Sequence, residues 1–250
     1  MTENSNKIQG GGAILPLTNL SIAERAVTRV MNRGPLDPGL VVMNGPSGWG
    51  KSIAAAWIKA RHRAYYVQAD DFWTKKTMLL AISRAIGIAG IKGSIYEMAD
   101  QIKEQLEKSR RVLIIDEFDY VADKKLVEAV RSLYEGSKAA ILIIGEEALP
   151  QKLKQWERFH GRILDWFPAE PVSLHDAREL AKSKCPGIEV ADDLLERIVD
   201  LAKGSVRRVS NNLGSIYDEA ADQGWSVVNV STWASRPLQT GEPPRRGYGA

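Results

Sequence analysis

Cysteine is nearly absent. Cys185 is the one thiol in 250 residues, which excludes an internal disulfide and fits a reducing compartment. Histidine is almost as scarce, at 3, so no Cys/His set has the spacing of a zinc site. No apolar run approaches the roughly 20 residues that span a bilayer. The opening MTENSNK has neither the basic start nor the apolar stretch of a signal peptide. We therefore expect a cytoplasmic protein with no membrane partner. An excess of one charge is also missing, with 34 Lys and Arg against 31 Asp and Glu and a net charge of +3. Three arginines (Arg236, Arg245 and Arg246) against Glu242 put most of that charge in the last fifteen residues. A nucleic acid would then have to meet a local patch, because the overall field is weak. The 44% apolar and 26% charged content is that of an ordinary globular chain, long enough for one α/β domain with a smaller attachment.

Against that plain background one stretch stands out. Residues 40–43 are apolar, and Gly45-Pro46-Ser47-Gly48-Trp49-Gly50-Lys51-Ser52 follows. This is G-x-x-x-x-G-K-[ST], the phosphate-binding loop. Glycines let successive backbone N–H groups curl round a polyphosphate. Lys51 supplies charge to the β- and γ-phosphates, and the Ser52 hydroxyl can ligate Mg²⁺. The helix expected from Lys51 turns its positive end toward the anion. A chance glycine-rich turn would lack the strand before and the helix after.

A second apolar run, Val112 to Ile115, ends in Asp116-Glu117. Two adjacent acids at the carboxyl end of a buried strand are costly unless a cation or solvent-linked chemistry uses them. Asp116 suits Mg²⁺ binding, and Glu117 suits activation of the attacking water. The spacing leaves room for one strand between this one and the phosphate-loop strand.

Taken in order, residues 1–20 read as a flexible lead-in rich in glycine at 10–12. Ser21 reads as an N-cap with Glu24 at the capping-box position, and Gly34-Pro35 ends that helix. The segment either packs against adenine or simply covers the sheet. Strands are expected near 64–68 and 139–144, and helices near 72–86, 94–109 and 124–134. From Ser173 the pattern turns helical, near 174–184, 192–203 and 205–223, and 236–250 reads as a flexible basic tail. Strands alternating with helices, then helices alone, predict an α/β domain over 21–172 with a parallel sheet, and a small all-helical lid over 173–235.

GPSGWGKS, LIIDEFDYV, AAILIIG and GSVRR, in this order across most of the chain, resemble the AAA+ ATPases. Within that class the IIDE-F-D-Y opening and the short lid are most similar to the phage Mu B transposition protein and the transposon target-selection ATPases. The resemblance implies an AAA+ P-loop core, ATP with Mg²⁺, and a homo-oligomeric ring or filament. It also implies that Arg207 in Gly204-Ser205-Val206-Arg207-Arg208 is the lid arginine that senses the γ-phosphate. Arg158 or Arg162, with Arg162 favoured, would be the arginine finger entering the neighbouring subunit's site. One departure is Gly145-Glu146-Glu147, where many AAA+ proteins carry a water-orienting Asn, Ser or Thr, and this points to slow hydrolysis. The DNA-binding domain that precedes the Mu protein's ATPase has no counterpart in the short lead-in. DNA would then be met by the ring or filament itself.

The resemblance places DNA contact after the second strand, at Phe72-Trp73-Thr74-Lys75-Lys76 with Lys92 in the next loop. Asp70 and Asp71 dilute that patch, and Arg61-His62-Arg63 and Lys124-Lys125 read as solvated charge. The expectation is an ATP-dependent, sequence-tolerant DNA-binding ATPase that assembles on duplex DNA and delivers it to a transposase, with hydrolysis dismantling the assembly. The alternatives are a helicase loader or replication-initiator-like ATPase, a protein-remodelling or secretion ATPase that ignores DNA, and a nucleotide switch that does not hydrolyse.

Overall fold

In the computed structural model residues 17–241 are described, and they form two compact units. The larger comprises Thr18–Val172 and Lys203–Arg207; the smaller holds Ser173–Ala202 and residues 208–241, together with Leu17. Through the larger unit the chain runs α1 (Thr18–Met31), β1 (Leu40–Asn44), α2 (Lys51–His62), β2 (Tyr65–Gln68), α3 (Lys75–Ala85) and α4 (Ile95–Ser109). It continues with β3 (Leu113–Asp116), α5 (Phe118–Asp123), α6 (Val127–Ser137), β4 (Ile141–Gly145), α7 (Leu149–Leu153), α8 (Glu157–His160) and β5 (Ile163–Pro168).

The sheet has the order β2-β3-β4-β1-β5, and every pairing is parallel. Parallel strands covered on both faces read as unbroken apolar runs. This is why β1, β3 and β4, the three central strands, were legible. Their side chains are buried almost without exception. On one side α3, α4, α5 and α6 close the core around Met78, Ile82, Ile102, Leu106, Phe118 and Val130. Each such side chain contributes about 1.5–3 kcal/mol relative to exposure.

Several expectations need correction. The first helix starts at Thr18, three residues before Ser21. Asn19 anchors it there through long-range bonds that no local pattern reveals, and Glu24 meets Arg61 and His62 of α2 instead of capping. The helix expected over 124–134 is shifted to Val127–Ser137, and a separate short helix that was not expected precedes it. Phe118, Val121 and Ala122 are drawn into the core as α5, Lys125 turns to φ 56°, and α6 begins at Val127. Strand β5 escaped the sequence reading. It lies at the sheet edge and is only half-buried, so Asp165 and Pro168 are tolerated in it and hide its pattern.

The smaller unit contains α9 (Leu174–Lys184), β6 (Glu189–Val190), α10 (Asp192–Ala202), most of α11 (Val206–Gln223), β7 (Val227–Val228) and α12 (Val230–Trp233). To the expected helices the structure adds one short parallel pair, β6 with β7. The segment expected to be a loose tail is docked over its described part. Asn212 Nδ2 donates to Gln239 O at 3.0 Å, and Gln239 N donates back to Asn212 Oδ1 at 2.7 Å. Arg236 pairs with Glu219 at 3.0 Å and lies over the Trp225 ring. The remaining tail and most of the expected lead-in lie outside the described residues.

Candidate nucleotide site

The loop Gly45 to Gly50 joins the carboxyl end of β1 to α2, so Lys51 and Ser52 open the helix. Gly48 and Gly50 stand at φ 83° and 89°, the left-handed region that lets consecutive N–H groups face one concavity. No side chain caps the helix start, which leaves its first N–H groups to an anion. Lys51 Nζ donates to Gly45 O at 2.5 Å and Pro46 O at 2.9 Å. Burial holds its ammonium below the usual lysine range, opposed by the charges of Glu117, Asp116, Glu146 and Asp119.

Three of those carboxylates come from the ends of β3 and β4, and Asp119 from the first turn of α5. Asp116 ends β3 and is 2% exposed. Its Oδ1 accepts from Glu117 N at 2.9 Å and its Oδ2 from the Tyr66 hydroxyl at 3.0 Å. Burial and the Asp116 charge push the Tyr66 phenol up, so it remains a donor. Glu117 takes φ 54°, a conformation non-glycine residues adopt at a cost of about 1–3 kcal/mol. Burial, then Asp116 and Glu146, push its carboxyl up, with Lys51 opposing. Between β3 and β1 lies β4, the intervening strand the spacing allowed, and it ends at Gly145. The Glu146 N–H donates to Asp119 Oδ2 at 2.6 Å. Asp119, itself buried, lies 3.3 Å from the Lys152 ammonium.

A hydroxyl, a buried carboxylate and an excess of acid over Lys51 suit a hard divalent cation. Among the described residues no group of three His, Cys, Asp or Glu could hold a metal alone. Ser52 and Asp116 present the oxygen donors that such an ion takes.

The Lys203–Arg207 segment packs directly on this loop. Ser205 Oγ and Arg207 N donate to Gly48 O at 3.4 and 3.3 Å. Gly204 stands at φ 84°, and a Cβ there would lie 2.7 Å from the Trp49 ring. From the other side Asn19 Nδ2 donates to Trp49 O and Glu170 O, each at 2.7 Å, and Asn19 Oδ1 accepts from Glu170 N at 2.9 Å. Sequence reasoning missed Asn19, Tyr66 and Asp119. Each acts through a partner distant in the chain or through a type too common to flag.

The two arginine-finger candidates differ. Arg162 pairs with Glu135 at 3.0 Å, and Glu135 also binds Arg131. Arg158 is exposed on α8 with no hydrogen bond or ion pair to the described residues. Arg162 O accepts from Leu40 N, which sets it at the amino end of β1. The phosphate loop leaves the other end, about 17 Å away for five residues.

In the expected DNA segment Trp73 is core, at 7% exposure, packed with Met78 and Leu79. Its indole is not available to a partner, because the aromatic is needed under α3. Thr74 caps α3, accepting from Thr77 N at 3.2 Å. The aromatic that faces outward is Phe72, at 87% exposure. Lys75, Lys76 and Lys92 are exposed. The two nearby acids are engaged: Asp71 with Lys124 at 2.7 Å, and Asp70 with Phe72 N at 2.8 Å.

Residues 36–153 match the family model of an AAA domain. A sequence search of curated proteins finds no match. By fold the chain is similar to Cdc6p from Pyrobaculum aerophilum, with TM-score 0.65 and 16% identity over 88% of this chain and 66% of that one. It is similar too to the ORC1 protein of Aeropyrum pernix in complex with DNA, with TM-score 0.61 and 16% identity over 86% of this chain and 63% of that one. The chain thus spans a little under two thirds of the length of these proteins. A signal transduction ATPase with numerous domains from Pyrococcus horikoshii gives TM-score 0.50 and 22% identity over 76% of this chain and 29% of that one. With its sheet order and its phosphate loop, the chain has the AAA+ P-loop fold.

Proposed function

We propose that this protein is an ATP-hydrolysing, DNA-binding AAA+ module of the replication-initiator or helicase-loader kind, which assembles head to tail on duplex DNA when it holds ATP. The observation that carries the reading is the convergence of Lys51 and the Asp116-Glu117 pair at the carboxyl ends of β1 and β3, with β4 between them. Loop N–H groups and Lys51 hold the triphosphate. Ser52 and Asp116 would hold Mg²⁺, which when bound would supply positive charge to the triphosphate. Glu117, with its raised proton affinity, takes the proton of the attacking water. Arg207 reaches the γ-phosphate from the segment docked on Gly48.

Trans completion of the site is supported by the β1 geometry, since Arg158 and Arg162 start from the far end of that strand. We assign the finger to Arg158, because Arg162 is committed to Glu135. Duplex DNA is supported by Phe72, Lys75 and Lys76 and by the DNA bound to the ORC1 protein of similar fold. Lysines there would meet phosphates without reading sequence, and Phe72 can lie against a base step. Delivery to a transposase rests on motif resemblance alone, and the fold likeness to Cdc6p and ORC1 favours the initiator-like reading over it.

The test is sedimentation and electron microscopy of the full chain with duplex DNA, with and without ATP. Wild type is expected to assemble only with both. Lys51→Ala should lose nucleotide and assembly together. Glu117→Gln should keep both and lose phosphate release by about 10²-fold or more. Lys75→Ala/Lys76→Ala should keep nucleotide and weaken DNA binding. ATP-dependent assembly indifferent to DNA would overturn the DNA part in favour of a protein client.

A further inference from the structure

The hydroxyl of Tyr66 is a group that neither fold nor packing requires. Tyr66 sits in β2 in register with Ile114 of β3, and its ring lies 5.7 Å from the Lys59 ammonium of α2. A phenylalanine ring would fill the same space and keep the same cation contact. What the hydroxyl adds is one bond, 3.0 Å to Asp116 Oδ2. The other oxygen, Oδ1, is held at 2.9 Å by the Glu117 N–H. Two donors, one from the adjoining strand and one from the next residue, thus grip the two oxygens of a single buried carboxylate.

An acidic side chain with one fixed oxygen still swings about its last torsion, whereas one with both oxygens held does not. Groups that orient a metal-binding carboxylate typically carry 10–100-fold of the metal affinity. We propose that Tyr66 is a positioning residue for the cation side of the nucleotide site, fixing the Asp116 carboxylate so that Mg²⁺ bound with nucleotide meets an acceptor already set. This rests on the reading of Asp116 as the Mg²⁺-holding carboxylate. It assigns Tyr66 no contact with the nucleotide.

The experiment is Tyr66→Phe in the full chain, read by binding of a fluorescent ATP analogue while Mg²⁺ is titrated, and again in EDTA. The Mg²⁺ midpoint is expected to rise about 10-fold, while binding in EDTA stays at the wild-type value. In an Asp116→Asn background the same substitution should change nothing, since the carboxylate it orients is gone. A Tyr66→Phe midpoint within twofold of wild type overturns the proposal, and so does an equal loss with and without Mg²⁺, which is the mark of a merely structural tyrosine. Wild-type binding that ignores Mg²⁺ would instead overturn the assignment of Asp116.

Discussion

A carboxylate that must take a proton from water works best when its own proton affinity is raised toward the working pH. Burial and the charges of Asp116 and Glu146 do this to Glu117. The ionised form is the base, so hydrolysis should be present above the raised pKa and fall as pH drops through it. Single-turnover phosphate release is expected to show an acidic limb above the ordinary glutamate value of about 4.3, and a limb at or below that value would refute the assignment. The stability consequence has the opposite sense. The folded state takes up this proton at higher pH than the unfolded chain, so the stability cost of Glu117 grows as pH rises from the ordinary glutamate value and is fully present above the raised pKa. Glu117→Gln should therefore raise Tm at neutral pH in a thermal melt. At this scale the motif residues Lys51, Ser52, Asp116 and Glu117 were legible, because their types and spacing state their chemistry. Asn19 and Asp119 were not. An asparagine 30 residues before its partner carbonyl at Trp49 looks like any other asparagine until the chain has folded.

Among the elements, the phosphate loop is held from two sides, by the start of α1 through Asn19 and by the Lys203–Arg207 segment through Gly48 and Trp49. The contact of Gly204 with Trp49 admits no side chain. Gly204→Ala would meet both the left-handed backbone and the ring, and should cost about 2–4 kcal/mol while weakening nucleotide binding. Gly214→Ala is the control, since a Cβ in α11 meets nothing within 4 Å and should stabilise by about 0.5–1 kcal/mol. Urea unfolding of both variants, with nucleotide titrations, checks this. The elements that sequence reasoning found are those whose own composition decides their state: the apolar central strands, and helices such as α4 and α9 with capping boxes at Ser94 and Ser173. Those it misplaced are decided by what they touch. Strand β5 is a strand because β1 offers it an edge, and the break between α5 and α6 follows from which side chains the core accepts.

For the molecule as a whole, the phosphate loop and Arg158 belong to opposite ends of β1. If Arg158 acts in a neighbour's site, Arg158→Ala should lower hydrolysis by about 10³-fold or more with nucleotide binding intact. Mixing it with Glu117→Gln, which keeps nucleotide and assembly, should restore activity, because an intact base from one variant meets an intact arginine from the other. Random mixing makes about a quarter of the interfaces competent. No recovery in the mixed assembly would place the arginine in its own chain's site. A donor at one end and an acceptor at the other also give any stack of these subunits a direction. An open stack has one terminal subunit whose site no neighbour completes, and a closed ring has none. Turnover per subunit should therefore climb with length in an open stack and stay flat in a ring. A kinetic measurement of activity against assembly size would then tell a spiral on DNA from a closed collar around it.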